Sequence, residues 1–215
     1  AGAAMAPPRR RSAWWPSPAL LLLPALGRAG GGACPRVEEL RSEAVQASFE
    51  PAMMQGLWYE HRYMDLAQVF ASCQTLNATV LGTGLQAGTM LVEFSVRYGP
   101  VPFSLRERYA PGDPPERGVF TKTVDLPGGA WIPLRTAVVD VGPAGPGGRY
   151  GSAAVYSCWA SPVGPVAELL FVTRDPVPDE PELARLESVA RLQGVPFGRA
   201  DLRDVDHSRC AALEA

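Results

Sequence analysis

The stretch Met90-Leu91-Val92-Glu93-Phe94-Ser95-Val96-Arg97-Tyr98 decides the fold class. Met90, Val92, Phe94, Val96 and Tyr98 alternate with Leu91, Glu93, Ser95 and Arg97. A period of two puts the two sets on opposite faces of a strand. Leu76, Ala78 and Val80 alternate with Thr75, Asn77 and Thr79 in the same way. Gly82, Gly84 and Gly88 lie between the two runs and predict a hairpin. Further strands are predicted at 103–109, 118–124, 131–141, 150–158 and 167–174, broken at 111–115, 127–129, 142–148 and 161–165 by Gly- and Pro-rich segments. Many antiparallel strands in series make a sandwich or an up-and-down barrel.

One helix follows the strands. Asp179 can cap it, Glu182 stands three residues later as in a capping box, and Gly194 can end it. Leu183, Leu186, Val189, Ala190 and Leu192 form an apolar stripe that would pack on the outside of the sheet. The order of elements predicts one all-β domain with a late helix.

The 215 residues suffice for one domain with a sizeable core, and 47% hydrophobic with 20% charged residues is ordinary globular composition. A net charge of -2 and scattered arginines argue against a nucleic-acid partner. Lys122 is the one lysine.

Residues 1–33 differ from the rest. Arg9, Arg10 and Arg11 precede Ala19-Leu20-Leu21-Leu22-Leu23-Pro24-Ala25-Leu26, and small residues follow from Gly27 to Ala33. This order predicts a secretory leader, with the mature domain at 34–215. The apolar run is far short of the roughly 20 residues of a transmembrane span. Cys34, Cys73, Cys158 and Cys210 are even in number and lack the close spacing of a zinc site. In an exported chain they predict two disulfides, each stabilising by at most about 5 kcal/mol, with three connectivities open.

Gly56-Leu57-Trp58-Tyr59-Glu60 resembles the first lipocalin signature, G-x-W, in the longer form found near apolipoprotein D. The glycine would allow a tight entry to the first strand, and the tryptophan would plug one barrel end. Cys34-Pro35 upstream, Cys73-Gln74-Thr75-Leu76-Asn77, Val155-Tyr156-Ser157-Cys158 and the run from Leu169 to Pro176 keep the order of that branch. Val139-Asp140-Val141 partly matches the second signature, with Asp140 the corresponding residue, and the loop at 142–148 looks longer than the family's.

The resemblance implies an eight-stranded antiparallel up-and-down β-barrel with one C-terminal helix outside. It implies the pairs Cys34–Cys158 and Cys73–Cys210, and Arg174 stacked on Trp58. It also implies a secreted carrier of a small hydrophobic ligand: a fatty acid, steroid, retinoid or pigment. With Phe94 and Ala78 inward, Leu76, Val80, Val92 and Val96 line the interior as well. The family alignment adds Leu170 and Val172, with Tyr156 and Leu134 nearby. No inward cluster of lysine or arginine is visible to mark a carboxylate partner. Asn77-Ala78-Thr79 is an outward sequon, which predicts glycosylation at Asn77.

Enzymatic motifs do not emerge. Gly82 to Gly88 lacks dinucleotide-loop spacing, and there is neither a phosphate-binding loop nor a zinc-protease motif. His61 and His207 read as surface or rim residues, and paired cysteines leave no thiolate nucleophile. The expectation is therefore no catalysis, no cofactor and no metal. The sequence also admits two rivals to the carrier. One is an interaction module that meets lipoprotein particles or a cell-surface receptor through apolar loops at the barrel mouth. The other is a lipid anchor at Cys34, disfavoured by the absence of the usual leucine before it and by its implied disulfide.

Overall fold

The computed structural model describes residues 33–82, 87–125, 131–145, 147–177, 179–208 and 210. The predicted leader, Ala33 excepted, lies outside the described residues, as do Gly84 and the break at 127–129.

A short helix, α1 (Glu43–Ser48), precedes eight antiparallel strands: β1 (Gly56–Met64), β2 (Ala71–Val80), β3 (Met90–Tyr98), β4 (Val101–Pro111), β5 (Val119–Asp125), β6 (Trp131–Val141), β7 (Ser152–Ser161) and β8 (Gly164–Thr173). Each pairs with its sequence neighbour, and β1 pairs with both β2 and β8, so the sheet closes into a barrel. Closure removes the free edges of an open sheet. The predicted break at 161–165 is tighter than expected, since Ser161 pairs with Gly164 across a two-residue turn.

Helix α2 (Glu180–Leu192) lies against the outer wall, and a two-residue strand, β9 (Arg203–Asp204), pairs with the outer part of β1. Asp179 accepts from the Glu182 amide at 3.3 Å, as expected of its cap. The Glu182 carboxylate does not reach back; it binds Arg185 and the Ser152 hydroxyl. Leu183, Leu186, Glu187 and Ala190 form the buried face, whereas Leu192 is exposed. Two residues beyond Ala190 is about 200° around a helix, which turns Leu192 outward. Glu187 takes part in the stripe because Arg62 of β1 meets it at 2.9 Å, while also binding Asp204 and Glu180.

Two apolar clusters follow from strand alternation. One fills the lumen around Trp58, Leu76, Val92, Phe94 and Leu170. The other lies between wall and helix, around Val139, Phe171, Leu183 and Leu186. The end near Gly56 is closed by α1 and by Phe49, whose ring stacks on Tyr150 at 5.7 Å. Gly118 is part of that closure: its φ is +73°, and a Cβ would stand 2.5 Å from Val45 Cγ1.

Candidate functional site

The lumen is layered. Its closed-end half holds a cavity of about 40 Å³. Trp58, Leu76, Ala78, Met90 and Val92 form one side, and Val138, Val155, Leu170 and Val172 the other, with Met54 and Tyr109 completing the wall. One water requires roughly 10–15 Å³, and most small-molecule pockets measure roughly 300–1,000 Å³. A ligand larger than a few waters would therefore have to displace side chains. Met54 and Met90, unbranched and adaptable, are the parts of the wall best suited to yield.

The floor of this chamber is rigid. Trp58 donates its indole N–H to the Met54 carbonyl at 2.7 Å. Arg174 lies over the Trp58 ring at 3.5 Å and donates to the carbonyls of Leu57, Tyr150 and Met53. The two arginines Arg149 and Arg174 crowd Gly56, whose φ is +102°. A side chain there would meet both the guanidinium groups and an unfavourable backbone.

Above the chamber, toward the open end, a polar girdle crosses the lumen. Lys122 Nζ stands 2.8 Å from Glu107 Oε1 on β4 and 2.5 Å from Glu168 Oε1 on β8. Tyr109 donates to the second Glu107 oxygen at 2.8 Å, and Thr136 donates to the Ser157 hydroxyl. Burial opposes the charge on Lys122, but the two carboxylates outweigh it and raise its pKa. Tyr109 is raised by burial and by Glu107.

Glu60 belongs to the same layer and is fully buried. Gln68, from the turn between β1 and β2, donates to one of its oxygens at 3.4 Å. Burial, then Asp65 and Glu168, push the Glu60 pKa well up. Asp65, half-buried beside the mouth, is raised to about 6 by burial and Glu168. Tyr59 pairs with Thr75, and the next residues along the two strands are Glu60 on β1 and Gln74 on β2, both buried.

The expected lining residues divide. Leu76, Ala78, Val92, Leu170 and Val172 meet at the cavity wall. Phe94 and Val96 lie nearer the mouth in the same cluster, and Val80 packs against it. Leu134 is buried opposite Lys122 in the register, away from the cavity. Tyr156 is on the other side of the wall, among the residues beneath α2. Its neighbours Ala153 and Val155 belong to the lumen cluster, so alternation turns Tyr156 and Ala154 outward.

One inward basic group, Lys122, stands in the lumen where the sequence showed no cluster of them. It is not free to meet a ligand carboxylate, because two protein carboxylates already hold it. The signal was present in the sequence: Lys122 is in phase with Phe120, Glu107 with Tyr109, and Glu168 with Leu170. A charged residue on the apolar phase of a strand marks an inward charge.

Cys34 is bonded to Cys158 and Cys73 to Cys210, the pairs that the resemblance implies. Asp140 is buried and binds Arg185 at 2.6 Å, fastening α2 to β6. His61 contacts the Thr173 hydroxyl and the Asp175 carbonyl, and its ring meets His207 edge-on at 5.4 Å. Asn77 is exposed on β2. Around the mouth Leu66, Phe70, Val101 and Val163 are exposed, Phe70 by 90% and Val163 by 96%.

No family model matches the chain, and no curated protein matches it. Solved structures do. Insecticyanin from the tobacco hornworm Manduca sexta aligns with a TM-score of 0.60 at 14% identity, over 76% of this chain and 83% of that one. The barrel is a lipocalin fold. Apocrustacyanin C2 aligns at 0.59 and 14% identity, over 83% and 91% of the two chains. Lobster apocrustacyanin A1 aligns at 0.56 and 11%, over 80% and 86%. Such identities speak to the lipocalin barrel itself. Among the described residues no helix is long and apolar enough to cross a membrane.

Proposed function

We propose that this protein is a secreted, non-catalytic carrier of a small, mainly apolar ligand held inside the barrel. The supporting observation is the closed-end cavity, walled by apolar side chains and floored by Trp58 and Arg174. The ligand's apolar part would enter that cavity by pushing Met54 and Met90 aside. Each methylene taken from water contributes about 0.8 kcal/mol, so an eight-carbon tail gives a gross of about 6 kcal/mol before association costs. We extend the proposal to membership of the lipocalin family near apolipoprotein D, removal of residues 1–33, and glycosylation at the exposed Asn77.

Titration of the oxidised protein with fatty acids, steroids, retinoids and tetrapyrroles, read by tryptophan fluorescence, tests the carrier. The expected result is saturable quenching with one site per chain. A flat response from folded protein across the panel contradicts it.

The exposed mouth residues favour a second reading, in which the barrel is an interaction module for lipoprotein particles or a receptor. Co-flotation with lipoprotein particles, abolished by Phe70→Ser with Val163→Ser, is its expected signature.

A further inference from the structure

Among the described residues, five buried side-chain atoms lack a hydrogen-bond partner: Glu60 Oε2, Gln68 Oε1, both amide atoms of Gln74, and Glu168 Oε1. Glu168 Oε1 nevertheless meets the Lys122 ammonium at 2.5 Å, outside hydrogen-bonding angles, so its charge is matched. The other four are not, and they belong to three residues of one neighbourhood. Gln68 reaches Glu60 directly, and Gln74 and Glu60 are each the next residue beyond the paired Thr75 and Tyr59. A buried polar atom left alone is costly, and such atoms gathered in one place mark a missing occupant.

The chemistry of that occupant follows from the vacant groups. Once Glu60 is ionised, three are acceptors and one, Gln74 Nε2, is a donor. The surrounding charge has the same sense: among the described residues Glu107, Glu168 and Asp65 surround one cation, Lys122, and Glu60 has no counter-charge of its own and keeps its proton. A carboxylate head would find no free cation and a surplus of negative charge. A primary ammonium supplies the missing counter-charge, lets Glu60 ionise, and brings three donors to three acceptors.

We propose that the lumen takes an amphiphilic primary amine, its ammonium held by Glu60, Gln68 and Gln74 and its apolar tail in the chamber beneath. This rests on the carrier reading and names its ligand class. The layering gives the orientation. Along β1 Trp58 precedes Glu60, and along β8 Leu170 and Val172 follow Glu168 toward the closed end, so the tail lies inward of the head.

The test is calorimetric titration at neutral pH with three chain-matched probes: octylamine, octanol and octanoate. Octylamine is expected to bind at least about tenfold tighter than octanol, with octanoate weakest, as suits hydrogen bonds to a charged group. Glu60→Gln, which keeps the side chain's shape, should remove most of that advantage and leave octanol within about twofold. Gln74→Met, which touches no charge, should reduce it about threefold and serves if the first variant does not fold. Octanoate binding as tightly as octylamine, or an amine advantage that survives both substitutions, overturns the proposal. Equal binding of all three overturns the head-group assignment and leaves the carrier standing. Failure of all three to bind the folded protein removes the carrier reading, and this proposal with it.

Discussion

The two layers of the lumen are made from the same strands, in places from residues only two positions apart. Trp58 and Glu60 on β1, Leu76 and Gln74 on β2, and Leu170 and Glu168 on β8 each contribute one apolar and one polar group to the same inner face. The closed-end layer gains stability by removing apolar surface from water. The girdle does the opposite: it takes charges out of water and compensates with Lys122. A change in the chamber therefore loses packing, whereas a change in the girdle strands a buried charge.

Lys122→Met is the strongest way to break the girdle. It leaves Glu107 and Glu168 buried beside each other without a cation, and should cost about 3–5 kcal/mol in urea unfolding. Replacing Lys122, Glu107 and Glu168 together by Met, Leu and Leu should recover most of that loss, because well-packed apolar side chains need no compensation. If the single variant is as stable as the parent, the girdle is not a closed charge system.

Leu170→Ala acts on the chamber instead. It should cost about 2–5 kcal/mol and widen the cavity, so affinity for apolar probes should hold or rise while stability falls. Arg174→Ala removes the contact with Trp58, worth about 0.5–2 kcal/mol, together with donors to three carbonyls, and should lower the unfolding midpoint without changing the girdle's response to pH.

The smallest effect expected is a pH dependence carried by Glu60 and Asp65. Both hold their protons to higher pH when folded than when unfolded, so the native state binds more protons in between. Stability present at acid pH is then lost as pH rises. For Asp65 the window runs from 3.8 to about 6, and for Glu60 it opens at 4.5 and extends upward. The groups that face Glu60 are Asp65, Glu168, Lys122 and Tyr63, while His207 touches only its carbonyl. Urea midpoints measured across this range should fall toward neutral pH, and Glu60→Gln should flatten the upper part of the slope.

Much of the wall was legible in the residues. The alternation in β3, the Gly- and Pro-rich breaks and the cap at Asp179 are local features, and they place strands and helix directly. Barrel closure was not, because it depends on β1 pairing with both β2 and β8, a long-range fact that only the resemblance supplied. Inward facing is legible where apolar residues alternate cleanly, and Leu76, Ala78 and Val92 stand at the cavity wall. Facing is not legible at Tyr156, which lies beneath α2, since β7 is small or apolar on both faces and offers no phase to read. The girdle shows in the sequence only as single charges on otherwise apolar phases, at Glu107, Lys122 and Glu168. The stretch from Val37 to Phe49, anchored by buried Val37, Leu40, Val45 and Phe49, carries too short a pattern to announce α1.

Methyl-resolved NMR during titration with octylamine tests the central claim most directly, since every layer of the molecule carries its own reporters. The account predicts saturable shifts at Leu76, Val92, Leu170 and Val172, with Leu183 and Leu186 beneath the helix unmoved. Shifts confined to Leu66, Val101 and Val163 at the mouth, with the lumen silent, would contradict it.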